Sequence, residues 1–224
     1  SALLTSDGGY LFFGNSESPA SGDKSQGNQG IDYWVVKVDA NGNKIWDKTF
    51  GGSGDEYGKT LLPTNDSGYL LIGHSNSGIS GNKTQASKGG YDFWVVKIDA
   101  NGTKVWDKPY GGTGNEYAGS AMSMNDGSYL LAGYSSSGAS GDKTQGSLGS
   151  NDYWVIKIDA NGNKLWDRAY GGSASDELLS ITSTGGGGVL LAGYSSSGAT
   201  GDKTEGRIGS NDYWVIKIDA NGIN

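Results

Sequence analysis

Apolar residues recur along this chain in short bursts, such as Tyr69-Leu70-Leu71-Ile72 and Trp94-Val95-Val96-Lys97-Ile98, each bounded by Gly, Asn, Asp or Ser. Bursts this short, rich in β-branched and aromatic residues and closed by turn formers, predict β-strands. Both faces of these strands are apolar: Leu70 and Ile72 lie on one, Tyr69 and Leu71 on the other. A sheet with one wet face would alternate apolar and polar residues, so burial on both sides is expected. A more charged segment follows, Lys104-Val105-Trp106-Asp107-Lys108, and Pro109 comes next. Proline cannot donate to a ladder, which predicts an edge strand there.

The pattern repeats. Residues 33–42 return at 93–102, 153–162 and 213–222, and Trp34, Trp94, Trp154 and Trp214 are 60 residues apart. A period this strict means one supersecondary unit used four times. Each unit reads as four short strands. The first is expected at 1–5, 60–64, 120–124 and 180–184, the second at 69–73 in the second copy, the third at 94–98 and the fourth at 104–108. Short turns join them, except for a longer Ser/Gly-rich loop between the second and third. The Asp39-Ala40-Asn41-Gly42 turn and its copies favour a type I turn with a left-handed Gly over a two-residue Asn-Gly turn. The expected fold class is all-β: a β-propeller, or a fragment of one, of four blades of about 60 residues, the last lacking its outer strand. We expect a single domain over 1–224, with repeats near 1–59, 60–119, 120–179 and 180–224. The chain carries neither an initiating Met nor a signal peptide. The expectation is a mature or trimmed piece of a longer parent with more repeats, completed by that parent or by another copy.

Over residues 152–194 the chain reads Asp-Tyr-Trp-Val-Ile-Lys-Ile-Asp-Ala-Asn-Gly-Asn-Lys-Leu-Trp-Asp, then Tyr-Gly-Gly-Ser, then a strand ending Leu-Leu-Ala-Gly-Tyr. At these residues, and over nearly its whole length, it resembles the SBBP-type β-propeller repeats of secreted bacterial proteins. The resemblance implies a propeller and an extracellular or cell-surface location. It implies no enzyme.

Composition narrows the partners. Gly is abundant at 41 residues, but 11% aromatic content supplies the buried area that disordered chains lack. A net charge of −7 argues against nucleic acid and anionic membranes as partners. No apolar run approaches the roughly 18 residues that span a bilayer. The absence of Cys removes disulfides and thiolate metal sites.

Candidate chemistry sits in the loops. Ser21-Gly22-Asp23-Lys24-Ser25-Gln26 recurs at 80–85, 140–145 and 200–205, and a second Asp follows six or seven residues later. Asp23 with Asp32, Asp142 with Asp152, and Asp202 with Asp212 are candidate Ca²⁺ ligands, oxygen donors on a Gly-rich loop. The alternative makes them Asx turns and strand caps. Glu56, Glu116 and Asp176 align where first strands begin, so they either ring a channel mouth or sit in a solvated turn. Trp46, Trp106 and Trp166, on the outer strand, are candidate sugar-stacking residues beneath Lys37 or Lys97. Tyr134, Tyr194 and His74 are ligand candidates at strand ends.

Catalysis has little material. His74 is the only His, and the recurring acids and lysines behave like parts of a scaffold. The leading expectation is a non-catalytic extracellular module that binds a glycan or protein, or displays other domains. The alternatives are a polysaccharide hydrolase or lyase, which needs one asymmetric acidic cleft, and a purely structural spacer, with or without stabilising calcium.

Overall fold

A computed structural model describes residues 1–224 and contains fifteen β-strands and no helix. The first sheet comprises β1 (Ala2–Leu4), β2 (Tyr10–Ser16), β3 (Asp32–Val38) and β4 (Lys44–Phe50). The second comprises β5 (Glu56–Pro63), β6 (Tyr69–Ser75), β7 (Asp92–Ile98) and β8 (Lys104–Tyr110). The third comprises β9 (Glu116–Ser123), β10 (Tyr129–Ser135), β11 (Asp152–Ile158) and β12 (Lys164–Tyr170). The fourth has three strands, β13 (Asp176–Ser183), β14 (Val189–Ser195) and β15 (Asp212–Ile218). Each sheet pairs its strands antiparallel in sequence order. These are the expected blade-like meanders, the last without an outer strand.

The Asp39 turn takes the anticipated form. The Gly42 N–H donates to the Asp39 carbonyl at 3.1 Å, Asp39 N–H donates to the Asn43 carbonyl at 2.9 Å, and Gly42 adopts a φ of 84°. The Asp39 carboxylate accepts from the N–H groups of Asn41 and Asn43, both at 2.8 Å, which fixes the turn from inside. Pro109 lies on β8, the edge strand of its sheet, as its missing donor requires.

Strand boundaries differ from expectation in one systematic way. The first strands begin four residues early, at Glu56, Glu116 and Asp176, and each is interrupted by a register shift. The extra residue of such a bulge breaks the two-residue alternation, so only the half beyond it reads as a strand in the sequence. Second strands likewise run on through His74 and Ser75, and third strands start at the aspartate two residues before the Trp.

The chain divides into two compact units, one of Ser1–Ser87 and Tyr91–Tyr110, the other of Lys88–Gly90 and Gly111–Asn224. In the first unit, Leu11, Phe13, Tyr33, Val35, Leu71, Trp94 and Val96 build the core between two sheets. Tyr33 stacks on Trp94 with ring centroids 4.9 Å apart and donates its hydroxyl to the Trp94 carbonyl at 3.0 Å. The second unit repeats this joint: Tyr153 lies 4.8 Å from the Trp214 ring and donates to its carbonyl at 2.9 Å. A buried phenol needs an acceptor, and a backbone carbonyl of the neighbouring sheet supplies one. Strands β6, β7 and β11 are buried at every position, as their two-sided apolar pattern demands.

Candidate functional site

Glu56, Glu116 and Asp176 are completely buried, which corrects the expectation of a channel-mouth ring or a solvated turn. The early start of the strands is the cause: the Gly-Gly turn before each acid folds back over it. Glu56 accepts from Gly52 N–H at 2.8 Å, from Ser75 Oγ at 2.5 Å and from Ser77 Oγ at 2.6 Å. Glu116 repeats the set with Gly112 N–H, Ser135 and Ser137. Asp176, one methylene shorter, keeps Gly172 N–H at 2.7 Å and Ser197 at 2.9 Å. Hydrogen bonds to both oxygens of Glu56 and Glu116, and to Oδ2 of Asp176, make these buried acids tolerable and tie the turn to the end of the second strand, while Asp176 Oδ1 has no partner.

The proposed calcium pairs do not assemble. Asp142 and Asp202 accept from the Gly111 and Gly171 N–H groups, both at 3.1 Å, so each caps a Gly-Gly turn. Asp152 accepts from Leu148 N–H at 2.5 Å and Asp212 from Ile208 N–H at 2.6 Å, whereas Asp23 is exposed. No group of three or more metal-ligating acids or histidines gathers anywhere in the chain. Asp32 faces Glu56 rather than Asp23. Burial, and then the Glu56 charge, push Asp32 up to about 7. Burial likewise raises Asp152, with Asp176 adding to it.

Trp46, Trp106 and Trp166 are half-buried. The cations over them come from the same strand: Lys108 lies 5.7 Å from the Trp106 ring and Arg168 6.0 Å from the Trp166 ring. Lys37 and Lys97 instead pair with Asp7 at 2.6 Å and Asp66 at 2.5 Å. A Cβ on Gly102 would come within 3.0 Å of the Trp46 ring, and one on Gly222 within 3.0 Å of the Trp166 ring. Trp46 and Trp166 are therefore packed beneath turns, not offered as open faces.

Two features escaped the sequence. The indole N–H of Trp34, Trp94 and Trp154 donates to Asp47, Asp107 and Asp167 at 3.1–3.2 Å. Each of these aspartates also accepts a loop N–H, from Ser25, Thr84 or Thr144, and pairs with Lys44, Lys104 or Lys164. Burial alone would raise Asp47, but these hydrogen bonds override it and hold the group at about 2. The loop lysines Lys24, Lys83, Lys143 and Lys203 are also buried, pinned to hydroxyls or carbonyls of their own loops and, for Lys83, also to the Ser75 hydroxyl at the end of β6. Lys83 is lowered to about 8 by burial. The only sequence signal for either feature was strict recurrence of Asp and Lys beside the Trp strands.

Of the strand-end candidates, Tyr134 and Tyr194 come together, whereas His74 is buried in the other unit. In the second unit Tyr134 faces Tyr117 across β9 and β10, with ring centroids 5.2 Å apart. Tyr194 faces Glu177 across β13 and β14 and donates its hydroxyl to that carboxylate. Burial, then the Glu177 charge and the neighbouring phenols, push Tyr134 up to about 12, so the two pairs sense each other. The bond to Glu177 raises Tyr194 to about 12. All four side chains are half-exposed. In the first unit His74 stands 5.4 Å from both Tyr57 and Tyr91, and burial lowers it to about 4, so it is neutral at pH 7.

No family model and no curated protein matches the sequence. Among solved structures, the chain is similar to a protein of unknown function from Bacteroides caccae, at 14% identity and a TM-score of 0.34, over 86% of this chain and 75% of that one. It is also similar to a point mutant of the Synechocystis apocarotenoid oxygenase, at 13% identity and a TM-score of 0.45, over 97% of this chain and 46% of that one. An ACO/RPE65 chimera gives 12% identity and a TM-score of 0.44, over 96% and 46%. The chain thus spans less than half the length of the last two proteins.

Proposed function

We propose that the chain is a non-catalytic binding module of an extracellular or cell-surface protein, with carbohydrate as its ligand. The observation that carries this reading is the half-exposed group of Tyr117, Tyr134, Glu177 and Tyr194. Phenol faces cover the CH face of a sugar while hydroxyls and a carboxylate take its OH groups, the usual make-up of an amphipathic binding patch. Catalysis lacks comparable support: Glu56, Glu116 and Asp176, the recurring acids, are buried and accept backbone and serine hydrogen bonds.

A glycan array followed by calorimetry tests the proposal. Wild-type protein should retain at least one plant, algal or bacterial polysaccharide, and Tyr134→Ala with Tyr194→Ala should weaken binding by about tenfold or more. Absence of any retained glycan would favour the spacer reading. That reading draws support from the many loop side chains consumed by internal bonds.

A further inference from the structure

An open pocket of about 290 Å³ lies between loops of the first and second sheets, lined by Gly27, Asn28, Asp32, Thr49, Gly51 and Asn82, among others. All of these belong to the first unit. Two buried oxygens on its lining have no hydrogen-bond partner, Asp32 Oδ1 and Thr49 Oγ1, in residues only 4% and 7% exposed. Glu56 lies against the same wall: a Cβ on Gly51 would overlap Asp32 Oδ1 and lie 2.5 Å from Glu56 Oε2. Two carboxylates thus converge on one glycine. The nearest buried cations do not neutralise them by direct contact, because Lys83 bonds Ser75 and Ser87, and Lys24 bonds the Ser18 carbonyl.

The cavity exists because the first repeat departs from the others. Five residues separate Gln26 from Asp32, whereas six separate Gln85 from Asp92 and Gln145 from Asp152. The longer loops carry a side chain over the equivalent of Gly81. Lys88 lies over Gly141, paired with Asp142, and Leu148 lies over Gly201. The short first loop places no such residue there, and the Asn28 amide turns back to the Ser16 and Gly30 carbonyls. Thr49 is also particular to this repeat; Pro109 and Ala169 hold its place.

We infer that this cavity is a site for a hard divalent cation of the calcium class, held by the Asp32 and Glu56 carboxylates and the Thr49 hydroxyl. Oxygen-only donors suit such an ion, and two carboxylates match its charge. Glu56 Oε2 accepts one hydrogen bond, which leaves it lone-pair capacity. A water takes about 30 Å³, so the cavity has room for the ion and several waters.

Calorimetry and thermal melts of EDTA-stripped protein, titrated with CaCl₂, MgCl₂ or NaCl, test the inference. Calcium should bind and should raise the melting temperature progressively with its concentration. Asp32→Asn should abolish the response, while Thr49→Val should weaken affinity by about tenfold or more. Asp152→Asn, in the second unit, should leave it intact. Because Asp32→Asn also removes the like-charge strain, its melting temperature in EDTA should equal or exceed that of the wild type, so the lost response is not misfolding. Absence of both heat and melting shift in the wild type would overturn the inference in favour of a proton shared by Asp32 and Glu56. A shift that survives in Asp32→Asn would overturn it as well.

Discussion

Ser67 is the only non-glycine residue with positive φ, at 65°, and the other three repeats place Gly8, Gly127 and Gly187 at this turn position. A Cβ in the left-handed region costs about 1–2 kcal/mol, whereas the greater unfolded-state freedom of Gly returns about 0.5–1 kcal/mol. Ser67→Gly should therefore stabilise the protein by about 0.5–1 kcal/mol. The check is a higher denaturant midpoint at unchanged slope, and a lower midpoint would mean that the strain is already relieved elsewhere. Single residues also show why the candidate site was only half legible. The alignment of Glu56, Glu116 and Asp176 was visible as spacing, but their burial depends on a Gly-Gly turn folding over them. Tyr134 and Tyr194 could be placed at strand ends, yet Glu177 joins them only through cross-strand register. Spacing reveals which residues are equivalent; it does not reveal which way a turn closes.

At the scale of the element, the third strand of each four-stranded sheet is clamped to its outer neighbour through an indole and an aspartate. Asp107 is the most completely bonded of these: Trp94, Thr84 and Lys104 all donate to it. Asp107→Asn loses the charge and part of the acceptor capacity, and a charge-assisted hydrogen bond is worth about 1.5–3 kcal/mol. The substitution should lower stability by that order at pH 7. The pH dependence follows from the depressed carboxyl groups of Asp47, Asp107 and Asp167. Their stabilisation is complete above the ordinary aspartate value near 3.9. It is lost as pH falls from there, for Asp47 toward about 2. Acid titration should show wild-type stability falling below about pH 4 and a shallower fall for Asp107→Asn; identical slopes would place the proton uptake elsewhere. Strands as elements were readable because their apolar bursts recur every 60 residues. Their beginnings were not, since Glu56 and Asp92 start strands as buried polar residues, against the usual sign of the pattern.

At the scale of the whole molecule, each compact unit contains its own cluster of buried apolar residues. One cluster draws on strands of the first two sheets, with Leu11, Leu71 and Trp94 among its members; the other draws on strands from β9 onward, with Leu130, Tyr153 and Leu191. In repeat architectures stability is approximately a sum of intrinsic repeat terms and nearest-neighbour interfaces, so a local defect need not spread along the chain. Leu71 and Leu191 occupy equivalent positions in the second and fourth repeats, and both are fully buried. Truncating either to Ala should cost about 2–5 kcal/mol. Amide exchange followed by mass spectrometry separates the two effects. Leu71→Ala should speed exchange across β1–β8 and leave β13–β15 protected, and Leu191→Ala should do the reverse. Equal acceleration of all strands by both variants would show one cooperative block, because each truncation would then lower the same global free energy.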